Sequence, residues 1–397
     1  MTPIIPNSPQ PKQNPERILI SRLSAHGDVI QTLPVLAALK ALNPQLFIGW
    51  LVETDAAALL EGHPLIDYLH ISHRKRWLKS LRSLNVRQWL QTLTEWNTFL
   101  QTLRASQYDV SLDIQGLMKS ALLPWLANIP RRIGFKATRE WAWLTYTETI
   151  APHDLKNPHR STISVFLDFL SPVGFDKTDL ASLQILFPLR PIDSHVETTV
   201  AAWVSDFTNS TSIEKQKGPL LVLAPETAWE SKHWPLNYWR DLIEWLNQQN
   251  CRWILIGTGQ TLDITDLNPS SLGSGLDLRG KTTWPQLQAL LKHADYFIGM
   301  DSGPLHLASA VASHSNDSHQ VLKPLIIGLY GPTAPGRTGP YQPGQHAGKQ
   351  QHQTLSLSLP CQPCFERKCP LGTEACLDQL SPRQVIETLR SLLAKWN

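Results

Sequence analysis

In the first half of the chain, short apolar runs alternate with stretches whose apolar residues recur every three or four positions. Short apolar runs are typical of buried strands, whereas the longer spacing is typical of amphipathic helices. We predict strands at residues 17–23, 47–52, 68–71 and 110–113, a helix after the turn at 24–28, and another over 86–104. This alternation favours a parallel sheet covered by helices on both faces.

The second half repeats the alternation without a close sequence repeat. Strands are predicted at 220–224, 253–257, 296–300 and 325–330, and helices at 239–248 and 284–293. Two doubly wound α/β halves would face one another across a cleft at the carboxyl ends of their strands, where open α/β sheets bind ligands. We therefore expect the chemistry in the loops that follow the strands.

The domain boundaries are set by composition. Residues 1–15 are rich in Pro, Asn and Gln and lack the basic start and apolar stretch of a signal peptide, so we interpret them as a disordered leader on a cytoplasmic protein. Residues 313–323 and 331–353 are expected to be a surface insertion and a loop. The predicted units are an amino-terminal domain at 16–190, a linker region at 191–218, a carboxyl-terminal domain at 219–380 and a closing helix at 381–397.

The overall charge narrows the class of partner. The 397 residues carry a net charge of only +3, which argues against a nucleic-acid-binding protein. Basic residues nevertheless cluster at 74–76 and 131–132, where a local anionic partner could bind. No run of 18 apolar residues occurs, so a spanning helix is not predicted.

Residues 297–310 contain the most informative turn, in which a strand leads through Asp301, Ser302 and Gly303 into a helix. Small residues let the backbone approach an anion, and the first-turn N–H groups of a helix favour a phosphate. Asp301 suits sugar hydroxyls better than a phosphate. The alternative is that Asp301 or Ser302 only caps the helix and that His306 only packs against it.

Two further loops follow strands. In residues 224–235, Thr227 offers a hydroxyl and Lys232 a cation, both suited to pyrophosphate oxygens, although a loop lysine is usually only solvated. In residues 24–28, Asp28 begins a helix and could act as a general base, but an N-cap role fits equally well. The first turn has no G-x-G-x-x-G dinucleotide fingerprint, and residues 331–333 taken alone predict an ordinary turn.

Four cysteines lie within sixteen residues near the end of the chain, in the Cys-rich segment 361–376. In a cytoplasmic protein such a group favours a metal over disulfides, and a structural zinc ion suits four thiolates better than an iron–sulfur cluster does. The spacing lacks the paired C-x2-C pattern of a zinc ribbon, so a set of packed free thiols is the alternative. The candidate ligands are Cys361, Cys364, Cys369 and Cys376.

Taken together, these segments resemble glycosyltransferase family 9, the lipopolysaccharide heptosyltransferases, from residue 17 onward. The resemblance rests on G-D-V-I-Q-T-L-P at 27–34, D-I-Q-G-L-M-K-S at 113–120, K-H-W-P at 232–235, D-S-G-P-L-H-L-A-S-A at 301–310 and Y-G-P-T at 330–333. The basic, Trp-containing loop at 71–77 and residues 134–140 are similar to heptosyltransferase I. The cysteine-rich tail is more similar to the heptosyltransferase II branch.

The resemblance implies a GT-B architecture, with two Rossmann-like domains, and an inverting sugar transfer that needs no cofactor. It assigns the catalytic base to Asp28 and donor-sugar contacts to Asp301 and His306. Basic side chains would bind acidic groups of the acceptor. The diphosphate positions are Thr227, Lys232, Ser302 and Gly303, and the acceptor-binding candidates are Arg74, Arg76, Lys119 and Arg139.

The expected partners follow from the same resemblance. The donor would be a nucleotide diphosphate sugar, ADP-heptose by analogy, and the acceptor a lipopolysaccharide-core or related glycolipid at the inner membrane face. A membrane-embedded acceptor requires peripheral docking, for which residues 74–104 are a candidate, with ordinary domain packing as the alternative. We expect a monomer that binds no nucleic acid. A nucleotide-sugar 2-epimerase and a non-catalytic sugar-nucleotide-binding protein are the alternative functions.

Overall fold

A computed structural model describes residues 15–83, 85–136, 138–151, 157–175, 187–210, 218–249, 251–259, 275–314, 322–341 and 352–394. The leader predicted at 1–15 lies outside these residues except for its last position. The core of the predicted insertion, residues 315–321, and residues 342–351 of the predicted loop also lie outside them.

The first half forms a six-stranded, all-parallel sheet in the order β3-β2-β1-β4-β5-β6. Its central strands are almost entirely buried, as expected of a parallel sheet with helices on both faces. The strands are β1 (Arg17–Ser21), β2 (Phe47–Glu53), β3 (Tyr68–Ser72), β4 (Val110–Asp113), β5 (Arg131–Phe135) and β6 (Glu148–Ile150). The helices are α1 (His26–Leu42), α2 (Thr54–Ala57), α3 (Arg74–Leu81), α4 (Val86–Ala105), α5 (Met118–Leu126) and α6 (Thr162–Leu167), with 3₁₀ segments at Arg139–Thr145 and Asp168–Val173.

The second half forms another six-stranded parallel sheet, in the order β12-β11-β10-β7-β8-β9. Its strands are β7 (Leu220–Ala224), β8 (Arg252–Leu255), β9 (Gly275–Asp277), β10 (Tyr296–Met300), β11 (Leu325–Leu329) and β12 (Gln353–Leu355). Its helices are α8 (Leu236–Gln248), α9 (Trp284–His293), α10 (Gly303–Ala312), α11 (Pro335–Thr338), α12 (Ala375–Asp378) and α13 (Pro382–Leu393), with a 3₁₀ turn at Glu230–Lys232.

Both sheets have the Rossmann strand order, in which the first strand lies at the centre and successive strands are added first on one side and then on the other. The order reverses between β1 and β4 in the first sheet and between β7 and β10 in the second. Each reversal opens a crevice beyond the carboxyl ends of the strands, so the topology itself predicts two ligand-facing edges.

The stretch interpreted from the sequence as a linker is largely a helix. Helix α7 (Ser194–Ser210) occupies much of residues 191–218 and packs against α9 of the second half. Its apolar residues recur at helical spacing, and Val200 and Phe207 are buried in the main core. The polar composition of 209–218 obscured this periodicity, and residues 211–217 lie outside the described part of the chain.

The amino ends of α1 and α10 are in close contact, which joins the two halves. A Cβ atom on Gly27 would lie 2.5 Å from Cδ2 of His306, and one on Gly303 would lie 2.8 Å from the Trp284 ring. The His26 and Trp284 rings stack beside this contact, with centroids 4.7 Å apart. The two helices reach this separation because both positions lack a side chain.

None of the helices in the described residues is long and apolar enough to cross a bilayer.

Substituting Gly27 with alanine tests the contact between the helices. Alanine normally equals or improves on glycine in a helix. Here the added methyl group would collide with His306, so we expect Gly27→Ala to lower the free energy of unfolding by roughly 1–3 kcal/mol, the usual cost of overpacking. Denaturant titration measures the change. In a His306→Ala background the same substitution should cost much less, and an equal cost in both backgrounds would contradict the contact.

Candidate functional site

Three loops meet at the carboxyl edge of the second sheet. They follow β7, β10 and β11, which are neighbours in the order β11-β10-β7. The loops are residues 225–235, 301–302 and 330–334, and they contain all the donor-binding candidates that precede α10. The sequence could predict this grouping because each loop follows an apolar strand of a parallel sheet.

Asp301 is the buried centre of this edge, with a side chain only 3% exposed. Its Oδ2 lies 2.8 Å from Lys232 Nζ, and its Oδ1 lies 3.4 Å from His306 Nε2. Burial opposes ionisation, but the Lys232 ammonium and the His306 ring outweigh it and hold the pKa of Asp301 well below its ordinary value. Both carboxylate oxygens therefore face protein side chains, and Asp301 fixes the positions of Lys232 and His306.

Three contacts fix the position of the Lys232 ammonium. Its ammonium donates to the Asp301 carboxylate and to the Asp301 carbonyl oxygen, at 2.8 and 3.1 Å. It also lies 4.4 Å from the centroid of the Trp229 ring, a cation–π distance. On the same loop, the buried Thr227 has its carbonyl oxygen 2.9 Å from Nε2 of His233. The loop therefore presents a positioned cation at the end of the sheet.

Two buried hydroxyl groups at this edge have no hydrogen-bond partner among the described residues. They are Ser302 Oγ, directly before α10, and Thr333 Oγ1, after β11. Ser302 has the extended backbone of an N-cap, but its side chain makes no capping bond. Buried hydroxyls are ordinarily satisfied, so this pair favours a polar ligand over the helix-capping interpretation of Ser302.

On the opposite half, Asp28 lies in the first turn of α1. Its Oδ2 is 2.7 Å from Nη2 of Arg22, and the Asp28 side chain is 43% exposed. The backbone N–H of Ala25 donates to the same oxygen at 3.3 Å. Arg22 is itself fixed because its Nη1 donates to the carbonyl of Ile114. Asp28 is therefore oriented, solvent-accessible and one residue away from the Gly27–His306 contact.

Gln31 completes a polar connection between the halves. Its Nε2 lies 3.4 Å from Nδ1 of His306, whose Nε2 faces Asp301. The connection runs from Lys232 through Asp301 and His306 to Gln31 on α1. The side that carries Asp28 is thereby tied to the side that carries Lys232.

Side-chain hydrogen bonds fix the turn after β4. Asp113 is buried, and its carboxylate accepts the N–H groups of Gln115 and Gly116 and the hydroxyl of Tyr146. Gly116 has a positive φ of 69°, which favours glycine. The turn aims the Gln115 side chain at the loop after β1, where it accepts from the Leu23 N–H at 2.8 Å. The segment therefore shapes the crevice between β1 and β4.

Two of the predicted acceptor residues converge on one buried carboxylate. Glu53 Oε1 lies 3.0 Å from Nε of Arg74 and 3.4 Å from Nζ of Lys119. Lys119 also donates to Ser24 Oγ at 2.7 Å, next to the turn that carries Asp28. Burial lowers the pKa of Lys119, and the Glu53 carboxylate partly offsets this effect. Arg74 and Lys119 therefore border the same crevice as Asp28.

Of the other two predicted acceptor residues, Arg76 is seen not to join that pair. Arg76 is exposed and binds Glu95 on α4, with its Nη2 2.5 Å from Oε2. Arg139 begins the 3₁₀ segment Arg139–Thr145, and its side chain lies outside what the structure describes. The local basic pattern could not separate Arg76 from Arg74, because residues two positions apart on a helix point in different directions.

The cysteine-rich segment supports the donor-side loops. Ser231 Oγ donates to the Glu366 carbonyl at 2.6 Å, and the Phe365 N–H donates to the Pro332 carbonyl at 2.9 Å. Gln362 Nε2 donates to the Gly331 carbonyl at 2.7 Å. The segment is therefore bonded to the loops after both β7 and β11, a role that the cysteine spacing alone could not indicate.

All four cysteines of this segment are free thiols and line one cavity together with Ser231 and Pro332. Burial raises the pKa of Cys376 to about 11, and the three other thiols act in the same direction. Among the described residues, no group of three or more Cys, His, Asp or Glu side chains has an arrangement that could hold a metal ion. The predicted zinc site therefore gains no support from the geometry.

Sequence reasoning missed several residues that organise the site. Two of them, Arg22 and Glu53, lie at or just after the ends of strands, and Gln31 lies on α1 next to the cleft. The role of each depends on a partner from another element. Glu226 is another: its carboxylate accepts the N–H groups of Thr258 and Gly259 and so joins the loops after β7 and β8. Location soon after the strand predicted at 220–224 was the available signal for Glu226, whereas Arg22 fell inside the strand predicted at 17–23 and is seen to follow β1 only in the structure.

Comparison with known proteins agrees with this geometry. Residues 96–374, more than two thirds of the chain, match the family model described as glycosyltransferase family 9 (heptosyltransferase). A lipopolysaccharide heptosyltransferase 1 from Pseudomonas aeruginosa is 27% identical over 396 residues, which span 95% of this chain and 98% of that protein. The corresponding enzyme of Escherichia coli K12 is 25% identical, over 92% and 99% of the two chains.

Solved structures show the same fold. A family 9 glycosyl transferase from Veillonella parvula superimposes with a TM-score of 0.70 and 19% identity, covering 96% of this chain and 98% of that chain. The E. coli heptosyltransferase WaaC, solved with ADP, gives a TM-score of 0.67 and 22% identity over 94% and 99% of the chains. The predicted GT-B architecture and the resemblance in sequence are both confirmed, and the chain belongs to glycosyltransferase family 9.

Proposed function

We propose that this glycosyltransferase moves a heptosyl group from ADP-heptose to a hydroxyl of a lipopolysaccharide-core acceptor, with inversion at the anomeric carbon. The relatives named above are lipopolysaccharide heptosyltransferases, and WaaC was solved both with ADP and with ADP-2-deoxy-2-fluoro heptose. The observation that carries the proposal is the fixed Lys232 ammonium beside two unpartnered hydroxyls, opposite an oriented carboxylate on the other half.

The donor side suits a leaving diphosphate. As the bond between the anomeric carbon and the phosphate oxygen breaks, negative charge develops on the departing ADP. Lys232, the hydroxyls of Ser302 and Thr333, and the first-turn N–H groups of α10 would stabilise that charge. These groups are already positioned, Lys232 by Asp301, so little reorganisation is required during the reaction.

We assign Asp301 and His306 to positioning the donor-side cation. Asp301 is too buried to meet a sugar hydroxyl without moving Lys232 or His306, because each of its oxygens faces one of those groups. His306 lies between Asp301 and Gln31, at the contact with α1. Its role would be to keep the donor edge in register with Asp28.

The acceptor side suits proton removal from a hydroxyl. The two Asp28 contacts described above both use Oδ2, which leaves Oδ1 for the acceptor. Asp28 would take the hydroxyl proton as the oxygen attacks the anomeric carbon from the face opposite the diphosphate. Arg74 and Lys119, on the same crevice, would bind acidic groups of the acceptor.

The direct test incubates the purified full chain with ADP-heptose, with and without a lipopolysaccharide core that lacks heptose. We expect ADP release that depends on the acceptor, and an acceptor product heavier by one heptosyl unit in mass spectrometry. Conversion of the nucleotide sugar to an epimer without the acceptor would instead support the epimerase alternative. Donor binding without either product would support the non-catalytic one.

Replacing Asp28 with asparagine should abolish most of the transfer. Asparagine keeps the shape of the side chain but accepts no proton, so we expect kcat to fall by roughly 10²–10⁴-fold, the usual contribution of general base catalysis. The dissociation constant for ADP should change little. The matched control is Glu61→Gln, which neutralises an exposed carboxylate in the same half. Wild-type kcat in the Asp28→Asn variant would remove Asp28 as the base.

Replacing Lys232 with methionine should weaken nucleotide binding. The loss of a charge-assisted contact corresponds to about 1.5–3 kcal/mol, or roughly 10- to 150-fold in the ADP dissociation constant measured by calorimetry. Lys281→Met, at an exposed lysine of the same half, should leave that constant unchanged.

Because Lys232→Met leaves the buried Asp301 unpaired, the variant could lose stability as well as binding. The double variant Lys232→Met with Asp301→Asn removes both charges and isolates the effect on binding. We expect the double variant to fold and still to bind ADP weakly. Wild-type affinity in the double variant would show that Lys232 does not contact the diphosphate.

A further inference from the structure

The amino half of α4 carries an exposed apolar stripe. Val86, Trp89, Leu90 and Leu93 are spaced so that they lie on one face of the helix. Their exposed fractions are 62, 38, 61 and 55%, values that are high for side chains of this size. Trp89 is held in place because its Nε1 donates to the Ser83 carbonyl at 2.7 Å.

The stripe continues onto α3. Leu78 and Leu81 are 42 and 44% exposed, and α3 packs against α4. The carboxyl half of α4 is different, because Leu100 and Leu103 are buried there. The helix is therefore anchored in its domain at one end, and the other end presents apolar side chains to solvent.

The segment that carries the stripe is also rich in basic residues. Residues 74–94 contain six Lys and Arg and no Asp or Glu. Three of the six bind acidic residues on other segments, as in the pairs of Arg74 with Glu53 and Lys75 with Asp55. Within the described residues, Lys79, Arg82 and Arg87 are exposed and make no ion pair.

This short segment accounts for the positive charge of the whole protein. Of the 36 Lys and Arg in the chain, 30 lie elsewhere, against all 33 Asp and Glu, so the remainder of the chain is net negative. The uncompensated positive charge is therefore concentrated where the exposed apolar side chains are. That coincidence distinguishes this surface from an ordinary solvated helix.

We propose that the exposed apolar residues of α3 and the amino half of α4, together with Lys79, Arg82 and Arg87, form a docking face for an anionic lipid bilayer. Apolar side chains would enter the headgroup region, and the three cations would contact lipid phosphates. The proposal rests on the proposed function in one respect: docking on the bilayer would bring the acceptor-side crevice to a lipid-linked acceptor. Arg74, at the start of α3, borders that crevice through Glu53.

A second copy of this chain is the less suitable occupant of the docking face. In a symmetric dimer the same patch meets itself, so the three unpaired cations of one copy would approach those of the other. The segment offers no acidic residue to compensate them. A surface rich in lipid phosphates supplies both the opposite charge and an apolar layer.

Vesicle co-sedimentation of the full chain, without donor or acceptor, tests the proposal. We expect binding to vesicles of phosphatidylcholine mixed with phosphatidylglycerol, weak binding to phosphatidylcholine alone, and weakening of the anionic binding by high salt. Replacing Trp89, Leu90 and Leu93 together with serine should lower the partition coefficient on the order of tenfold or more. Replacing Lys79, Arg82 and Arg87 with glutamine should lower it roughly fivefold per residue.

Two exposed positions on the other half provide matched controls. Leu371→Ser and Arg383→Gln alter side chains that are 63 and 85% exposed, and both should bind vesicles like the parent protein. Circular dichroism would check that every variant is folded. Parent-like binding by the serine variant, or loss of binding equally in the controls, would overturn the proposal. So would a parent dimer that the serine variant converts to a monomer in sedimentation velocity experiments.

Because this assay contains no substrate, its failure would leave the transfer reaction untouched. Likewise, a chain that docks on anionic vesicles but transfers no sugar would contradict the proposed function alone.

Discussion

The arrangement of the site depends on one buried carboxylate. A charge inside a protein is tolerated only when it is paired and hydrogen-bonded, and Asp301 meets that condition through Lys232 and His306. Lys232 comes from the loop after β7 and His306 from the helix after β10, so the carboxylate fixes two different segments at once. His306 also contacts Gln31 on α1, so by holding His306 the Asp301 carboxylate also helps to fix the contact between the two halves.

The close approach of α1 and α10 brings the crevices of the two sheets together into one cleft. Each sheet alone offers only a crevice where its strand order reverses. The contact of Gly27 with His306 brings the amino ends of the two helices together, and Asp28 lies between Gly27 and Gln31 on α1. The proposed general base, Asp28, and the proposed leaving-group cation, Lys232, can therefore act on the same substrate, although they belong to different domains.

The sequence predicted the parts of this protein that depend on local pattern. Apolar runs located β4, β7 and β10 at their observed bounds, and the loops after them contained Lys232 and Asp301. The remaining features depend on partners distant in sequence, such as Gln31 and His306, which are 275 positions apart. For the same reason, the sequence did not predict that Arg74 and Lys119 would meet at Glu53 or that Arg76 would pair with Glu95. Helix α7 was missed for a local reason, since a polar stretch at its end outweighed the apolar spacing before it.

In the mechanism that we propose, Lys232 and the amino end of α10 hold the diphosphate of the donor. A crystal structure of the wild-type protein with ADP bound would test it most directly. We expect diphosphate oxygens within hydrogen-bonding distance of Lys232 Nζ and of the backbone N–H groups at Ser302 and Gly303, with Lys232 still beside Asp301. A diphosphate bound away from Lys232, or at the crevice between β1 and β4, would contradict it.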